Sequence, residues 1–525
     1  MWVQPFAMLL GIIMLSAIGY VTLSTGKPPF RAINEHVSPV LGWGWALAVA
    51  AANVVWCLPQ YALANGVLSQ NLLPKLLGED GWIRQRATVA LGSESYWSAH
   101  CDELVVTVAI FLIAVAVTWC YDRGGWGIRL YETLLKIVVA MIVACFFGVV
   151  IVLSLSDQNP LDWSRILSGF KPDFGKFFRP ADTFLPLLDA VGSAGNGARE
   201  YWSAVIVDQQ RDVIISAAAT AVGINMTFLF AYSLLRKGWG KEFRGLVKFD
   251  LATGMLIPFL LATSCVVIAA ASQFHTKPGE GFEFADNGEV TVPENFTSSY
   301  ESLIRSRDEA RVEVDANADL KADITLAEQK LAASLVKRDA FQLAQSLQPV
   351  AGNFFANFVF GFGVLAMTLS TITILMLISG FVFCELLGLP PGGWPHRIGT
   401  LIAGIGGALG PFIWKQAAFY LVVPTSVFGF VLLPVAYLTF WLLINQKSLL
   451  GDNAPTGFRR LSWNLFLSMS AGVATVGSIY MVWVKANVLG IAAVTLFVLL
   501  AVMVHVNRVN TKKYDELAEQ GSSPP

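Results

Sequence analysis

Charge is scarce in this chain: of 525 residues only 14% are Asp, Glu, Lys or Arg, while 55% are hydrophobic and the mean hydropathy is +0.58. A soluble globule of this size needs more polar surface than that, so a cytosolic enzyme is excluded. The 36 Lys+Arg against 37 Asp+Glu leave a net charge of -1, without the broad basic face that nucleic-acid binding requires. Cysteine is sparse too. Cys57, Cys101, Cys120, Cys145, Cys265 and Cys384 show no CxxC or Cys/His spacing of a zinc site, and those in apolar runs read as small buried hydrophobes. His36, His100, His275, His396 and His505 all fall at helix ends or in loops, so no span offers a haem ligand. No resident cofactor is expected.

What the chain has in quantity is apolar runs long enough to cross a bilayer. About eleven candidate helices lie near 5–24, 43–65, 103–120, 132–155, 212–236, 249–272, 353–385, 396–414, 418–445, 462–484 and 487–508, each near or above the roughly 20 residues a crossing takes. Strands of alternating polarity, the mark of an outer-membrane barrel, are absent. The expectation is an all-α, multi-pass integral protein of a plasma or inner membrane, with the lipid bilayer as its first partner.

Basic residues orient it. Arg236, Lys237, Lys241 and Arg244 share one short connection, Arg123 and Arg129 another, Lys447, Arg459 and Arg460 a third, and Arg508, Lys512 and Lys513 follow the last span. The positive-inside rule puts all of them in the cytoplasm and Met1 outside. No basic region precedes residues 5–24, so they read as a span and not as a cleaved signal. On the outer side, 156–211 is expected to be extramembrane, with a flexible turn at 192–197. The insert 276–350 should hold one or two amphipathic helices, since Leu303, Val312, Leu320, Ile324, Leu331 and Leu335 recur at helical spacing among charges of both signs. The domain division is thus 1–275 and 351–508 in the membrane, 276–350 outside, and a cytoplasmic tail at 509–525. Asn295-Phe296-Thr297 is a glycosylation sequon.

Ionisable groups inside spans mark pathways, and almost none are present. Glu132 and Lys136 stand one turn apart near a span end, as a local pair; Arg211, Asp212, Asp250 and Glu385 also sit at ends. Neutral polar groups and helix breakers occupy mid-membrane instead. Gly223-Ile224-Asn225-Met226-Thr227 places a glycine, an amide, a thioether and a hydroxyl within about one turn, the pattern by which discontinuous helices build transport sites. Cys57-Leu58-Pro59-Gln60 puts a proline beside an amide. Thr368, Ser370, Thr371 and Thr373 share one span, where their hydroxyls either line a path or bond back to their own helix.

Four stretches, taken in order, resemble the Nramp family of divalent-metal transporters: residues 131–140, Asn225-Met226-Thr227 with Tyr232-Ser233, 269–275, and Leu432-Leu433-Pro434 followed by 445–451. The resemblance covers the chain outside 276–350. It implies a LeuT-like fold of the APC superfamily, two inverted repeats of five helices with alternating access.

The departures from the family pattern are specific. The family's Asp-Pro-Gly-Asn motif on a broken first helix is absent, because residues 5–24 resemble the second helix; either a helix precedes this chain or the protein is a shortened variant. Met-Pro-His of the sixth helix falls on Asn225, Met226 and Thr227, with the histidine replaced by Thr227 or Phe228. The acidic pair of the third helix falls on Cys57 and Gln60, a glutamine of the tenth on Leu421, and a second histidine on Tyr232. By this resemblance Asn225, Met226 and Thr227 would be metal ligands, while Cys57, Gln60, Gly223 and Tyr232 would line the pathway. Oxygen in place of sulfur and histidine favours hard cations such as Mg2+ or Mn2+. Lost carboxylates and histidines also put proton coupling in question. The implied function is transport of a divalent cation from the Mn/Fe/Mg class. A carrier of amino-acid-like organic substrates, or a non-transporting receptor or scaffold displaying the insert, are the alternatives. The oligomeric state is open.

Overall fold

The computed structural model describes the chain apart from residues 79, 93–94, 122–125, 156–160, 193–196, 286–287, 315–323, 339–351, 353–357, 414–420 and 522–525. Leu320, most of the turn at 192–197, and parts of the expected spans at 353–385 and 418–445 lie outside the described residues, as does the side chain of Cys145.

Helix α1, Val3–Thr25 (23 residues), is about 35 Å long at 1.5 Å per residue and crosses a bilayer outright. It stops at Gly26, whose φ of 63° lets its N–H close on the Thr22 carbonyl. Helix α2, Pro39–Val67, starts with proline at its first position, where no intrahelical N–H is needed, and carries Pro59 internally. Helices α3 (Tyr96–Tyr121) and α4 (Trp126–Ser154) follow. Helix α5, Ala198–Ala221, is cut from α6, Ile224–Arg236, by two non-helical residues. Helix α7, Ile257–Phe274, continues a shorter helix at Arg244–Asp250 through a π turn at Leu251–Leu256. Then come α8 (Phe360–Leu386), α9 (Gly393–Ala408), α10 (Val422–Ile444) and α11 (Gly457–Gly521).

Among the described residues, eight helical stretches are long and apolar enough to cross a membrane, and one of them, Gly457–Arg508, has 52 residues. Asn487, at φ 50° and ψ -144°, breaks that stretch between the two expected spans 462–484 and 487–508. The second part returns to the side from which the first set out: His505 bonds the Val37 carbonyl at 3.2 Å and Arg508 the Asn34 carbonyl at 2.7 Å. Those carbonyls lie just beyond α1, whose other end is tied by Trp2 N–H to Gly169 O at 3.0 Å. Arg244, which bonds Ser24 and Asn453, and Arg508 therefore share one face, and Gly169 lies at the other.

Close approach of α9 depends on glycine. A Cβ on Gly407 would lie 2.2 Å from that of Cys57, one on Gly410 2.2 Å from Leu58 O, and one on Gly399 2.5 Å from Phe383. Bare backbone thus lets α9 lie against α2 and α8, the small-residue packing that replaces a hydrophobic drive inside lipid. The largest core joins α1, α2, α5, α6, α8, α10 and α11 around Trp45, Phe228 and Phe440.

Helix α5 begins at Ala198, ahead of the expected span at 212–236. Its first turns are polar and still helical, since Trp202 and Ile206 are buried by the insert. The insert forms helices at Thr297–Val314 and Leu326–Ser334, and also a two-stranded antiparallel pairing of Glu283–Phe284 with Val290–Thr291 that the sequence did not signal. Phe296, Tyr300, Leu331 and Leu335 of the insert share one core with Phe184, Leu188 and Trp202. The described residues of 181–206 and 282–336 thus pack around one core.

Candidate functional site

The broken helix supplies the site. Val222 (φ -143°, ψ 102°) and Gly223 (φ -76°, ψ 161°) leave helical geometry between α5 and α6, so the last carbonyls of one half and the first N–H groups of the other have no helical partners. At the break the missing side chain of Gly223 leaves room for the Asn225 amide: a Cβ there would sit 2.5 Å from Asn225 Oδ1 and displace it. That amide oxygen accepts the Met226 N–H at 3.2 Å, and both side chains remain partly exposed.

Thr227 is placed differently. It is fully buried, donates to the Ile224 carbonyl at 2.5 Å and accepts from Trp45 Nε1 of α2 at 3.0 Å. Its hydroxyl is thereby spent on joining α2 to α6. Tyr232 lies two turns further along, stacked on Phe228 at 4.4 Å and 8°. Gly223, Asn225, Met226 and Thr227 are thus brought together, with Tyr232 below them.

Cys57 and Gln60 are not at the break. Cys57 is wedged against Gly407 in a core with Tyr61, Ile110, Met376 and Ala403, which is packing between α2, α3, α8 and α9. Gln60 is buried, with its Oε1 unpartnered. Sequence reasoning missed Asn53, which is fully buried with neither amide atom bonded. Trp45, Asn53, Trp56 and Gln60 fall within one face of α2 by the 3.6-residue period, the face on which Trp45 meets α6. An asparagine spaced on that face was the signal available. The hydroxyls of Thr368, Thr371 and Thr373 bond back to carbonyls of their own helix at 2.8–2.9 Å; they add no site.

Among the described residues no group of three or more His, Cys, Asp or Glu side chains could hold a metal ion. The oxygens at the break are amide and carbonyl, which suit a hard cation that keeps part of its water. One turn outward, Ala218 lines an apolar cavity of about 550 Å3 bounded by Ile214, Ile215, Phe430, Tyr437 and Tyr480.

Comparison with known proteins bears on family and fold. The family model "Natural resistance-associated macrophage protein-like" (Nramp) matches residues 324–484. Crystal structures of two single-residue variants of the Eremococcus coleocola manganese transporter superpose with TM-scores of 0.56 at 12% identity, covering 97% of this chain and 87% of theirs. The same transporter in complex with an aromatic bis-isothiourea substituted compound gives 0.53 at 12%, covering 97% and 86%. No curated protein sequence matches. The profile match begins inside the outer insert, so the likeness of the amino-terminal half is one of fold. Residues 324–484 thus resemble the Nramp-like family, and the chain as a whole shares the all-α fold of that manganese transporter, with several helices long and apolar enough to cross a membrane.

Proposed function

We propose that the protein is a secondary transporter of the plasma or inner membrane that moves a divalent cation by alternating access, with the Val222–Gly223 break as its binding point. The break itself carries the proposal: a two-residue interruption in an otherwise 39-residue helical span exposes backbone oxygens beside the Asn225 amide and the Met226 thioether, which is how discontinuous helices hold ions. Asn225 and Met226 act as ligands. Thr227 shapes the site through Trp45, and Gln60 with Asn53 offers polar groups along the face of α2. The neutral donor set favours a partly hydrated hard ion, Mg2+ or Mn2+, over one that demands thiolate or imidazole. Cargo is bound and released, so the metal is substrate and not cofactor.

The test is uptake into proteoliposomes. Asn225→Ala should reduce Mn2+ or Mg2+ flux with the thermal stability of the purified protein retained; unchanged flux removes Asn225 from the site. A second reading has its own support. The positive end of the α6 dipole points at the break and an apolar cavity lies one turn away, which together suit the carboxylate and side chain of an organic acid. Flux of a labelled amino acid without cation flux would establish that reading.

A further inference from the structure

Three cations converge on one aromatic ring at the face that carries the basic connections. Around Tyr20 of α1, the guanidinium carbons of Arg244 and Arg459 lie 4.9 and 5.3 Å from the ring centroid and Lys248 Nζ lies 5.7 Å from it. Lys248 also stands 4.7 Å from the ring of Trp463, whose centroid is 5.9 Å from that of Tyr20. Among the described residues no carboxylate oxygen approaches any of the three within salt-bridge distance. The aromatic faces offset part of the charge, but two guanidinium carbons so close to one centroid lie within about one Debye length (~10 Å at 0.1 M salt) and repel.

The support beneath this cluster is firm. Tyr20 is buried, and its hydroxyl donates to the Asn453 carbonyl at 2.6 Å. Arg244 is braced by Ser24 Oγ at 3.0 Å and Asn453 Oδ1 at 3.4 Å. Arg459 is exposed, while Arg244 and Lys248 are half-buried. Clustered cations backed by aromatics, one of them braced, form a receptor for an oxyanion, because guanidinium donors match phosphate geometry. The position also fits the depth at which Trp and Tyr meet headgroups.

The geometry points to a phosphate-binding site made by Tyr20, Arg244, Lys248, Arg459 and Trp463 that takes the headgroup of an anionic phospholipid from the adjoining leaflet. It joins α1, the helix at Arg244–Asp250 and α11, and it stands whichever substrate the transporter carries.

Free phosphate offers the same chemistry, so the experiment separates the two sources. Native mass spectrometry of the full chain in detergent, titrated with phosphatidylglycerol or phosphatidylcholine, gives the affinity of each. Phosphatidylglycerol should bind selectively. Lys248→Gln with Arg459→Gln, which leaves the braced Arg244 in place, should weaken it by about tenfold or more, and Lys248→Arg with Arg459→Lys should retain it. The melting temperature of each variant reports folding. Displacement of the lipid by millimolar inorganic phosphate would overturn the lipid as ligand. No preference for phosphatidylglycerol, or equal binding by the folded double Gln variant, would overturn the site.

Discussion

Glu328 is the residue whose removal should cost the outer body most. Its carboxylate is 2% exposed and its Oε1 accepts from Arg307 Nε at 2.9 Å and Trp202 Nε1 at 3.1 Å. Oε2 takes the Thr325 backbone N–H at 3.2 Å, completing a capping box on Leu326–Ser334. Glu328→Ala removes the carboxylate that the Arg307 guanidinium, itself 5% exposed, faces, and breaking a buried pair from one side costs up to about 3–5 kcal/mol. At 1.4 kcal/mol per tenfold, local opening should rise by about two to three orders of magnitude. Hydrogen exchange of the amides at 326–334 reads that change directly. A loss of protection below about fivefold, near 1 kcal/mol, would refute the account of this pair as a buried contact that holds the helix. Arg307→Met with Glu328→Leu should recover most of the protection, since apolar replacement of a whole buried pair is often neutral.

Thr227→Val keeps the shape but leaves the buried Trp45 N–H without its acceptor; a loss of about 1–3 kcal/mol should appear as a lowered melting temperature with the helix content intact. Gly407→Val should prevent recovery of folded protein, because its Cβ would overlap that of Cys57, whereas Gly66→Ala, which meets nothing within 4 Å, should fold normally by size-exclusion chromatography. A maleimide should label exposed Cys120 rapidly and leave buried Cys57 and Cys384 unmodified until the protein unfolds, as peptide mass mapping would show. Burial, and then the nearby charges of Arg165 and Lys176, lower the pKa of His275. The unfolded chain then binds the extra proton first, so the contribution of His275 is complete above about pH 6.5 and falls as pH drops toward the folded value. His275→Asn should flatten that part of the stability curve.

Most of the membrane core was legible because lipid imposes a simple rule: a run long and apolar enough must be helical. Gly223 beside Asn225 announced the break for the same reason, as glycine and a free amide in mid-span need a purpose. The start of α5 was not legible. Arg199, Glu200, Asp208, Arg211 and Asp212 make its first half polar, and its buried face comes from tertiary contact, with Phe184 and Leu188 just before it and with Phe296 and Leu331 far along the chain. Cys57 was legible as a small buried hydrophobe, but not its partner, because the glycine that receives it lies on a separate helix, at 407. Thr227 was identified at the break, but its bond to Trp45 depends on how α2 meets α6 and has no counterpart in local spacing.

The outer body does more than cover a surface. Trp202 and Ile206 of α5 belong to its core, and Gln210 of the same helix bonds the carbonyls of Lys176 and Arg179, both at 3.0 Å. The outer half of the broken helix is therefore a shaft set into an external handle, and the joint with the inner half is only Val222 and Gly223. Any tilt of that shaft must swing the handle, so a rigid protein bound to the helices at Thr297–Val314 and Leu326–Ser334 would act on the angle at Val222 and Gly223 from a distance.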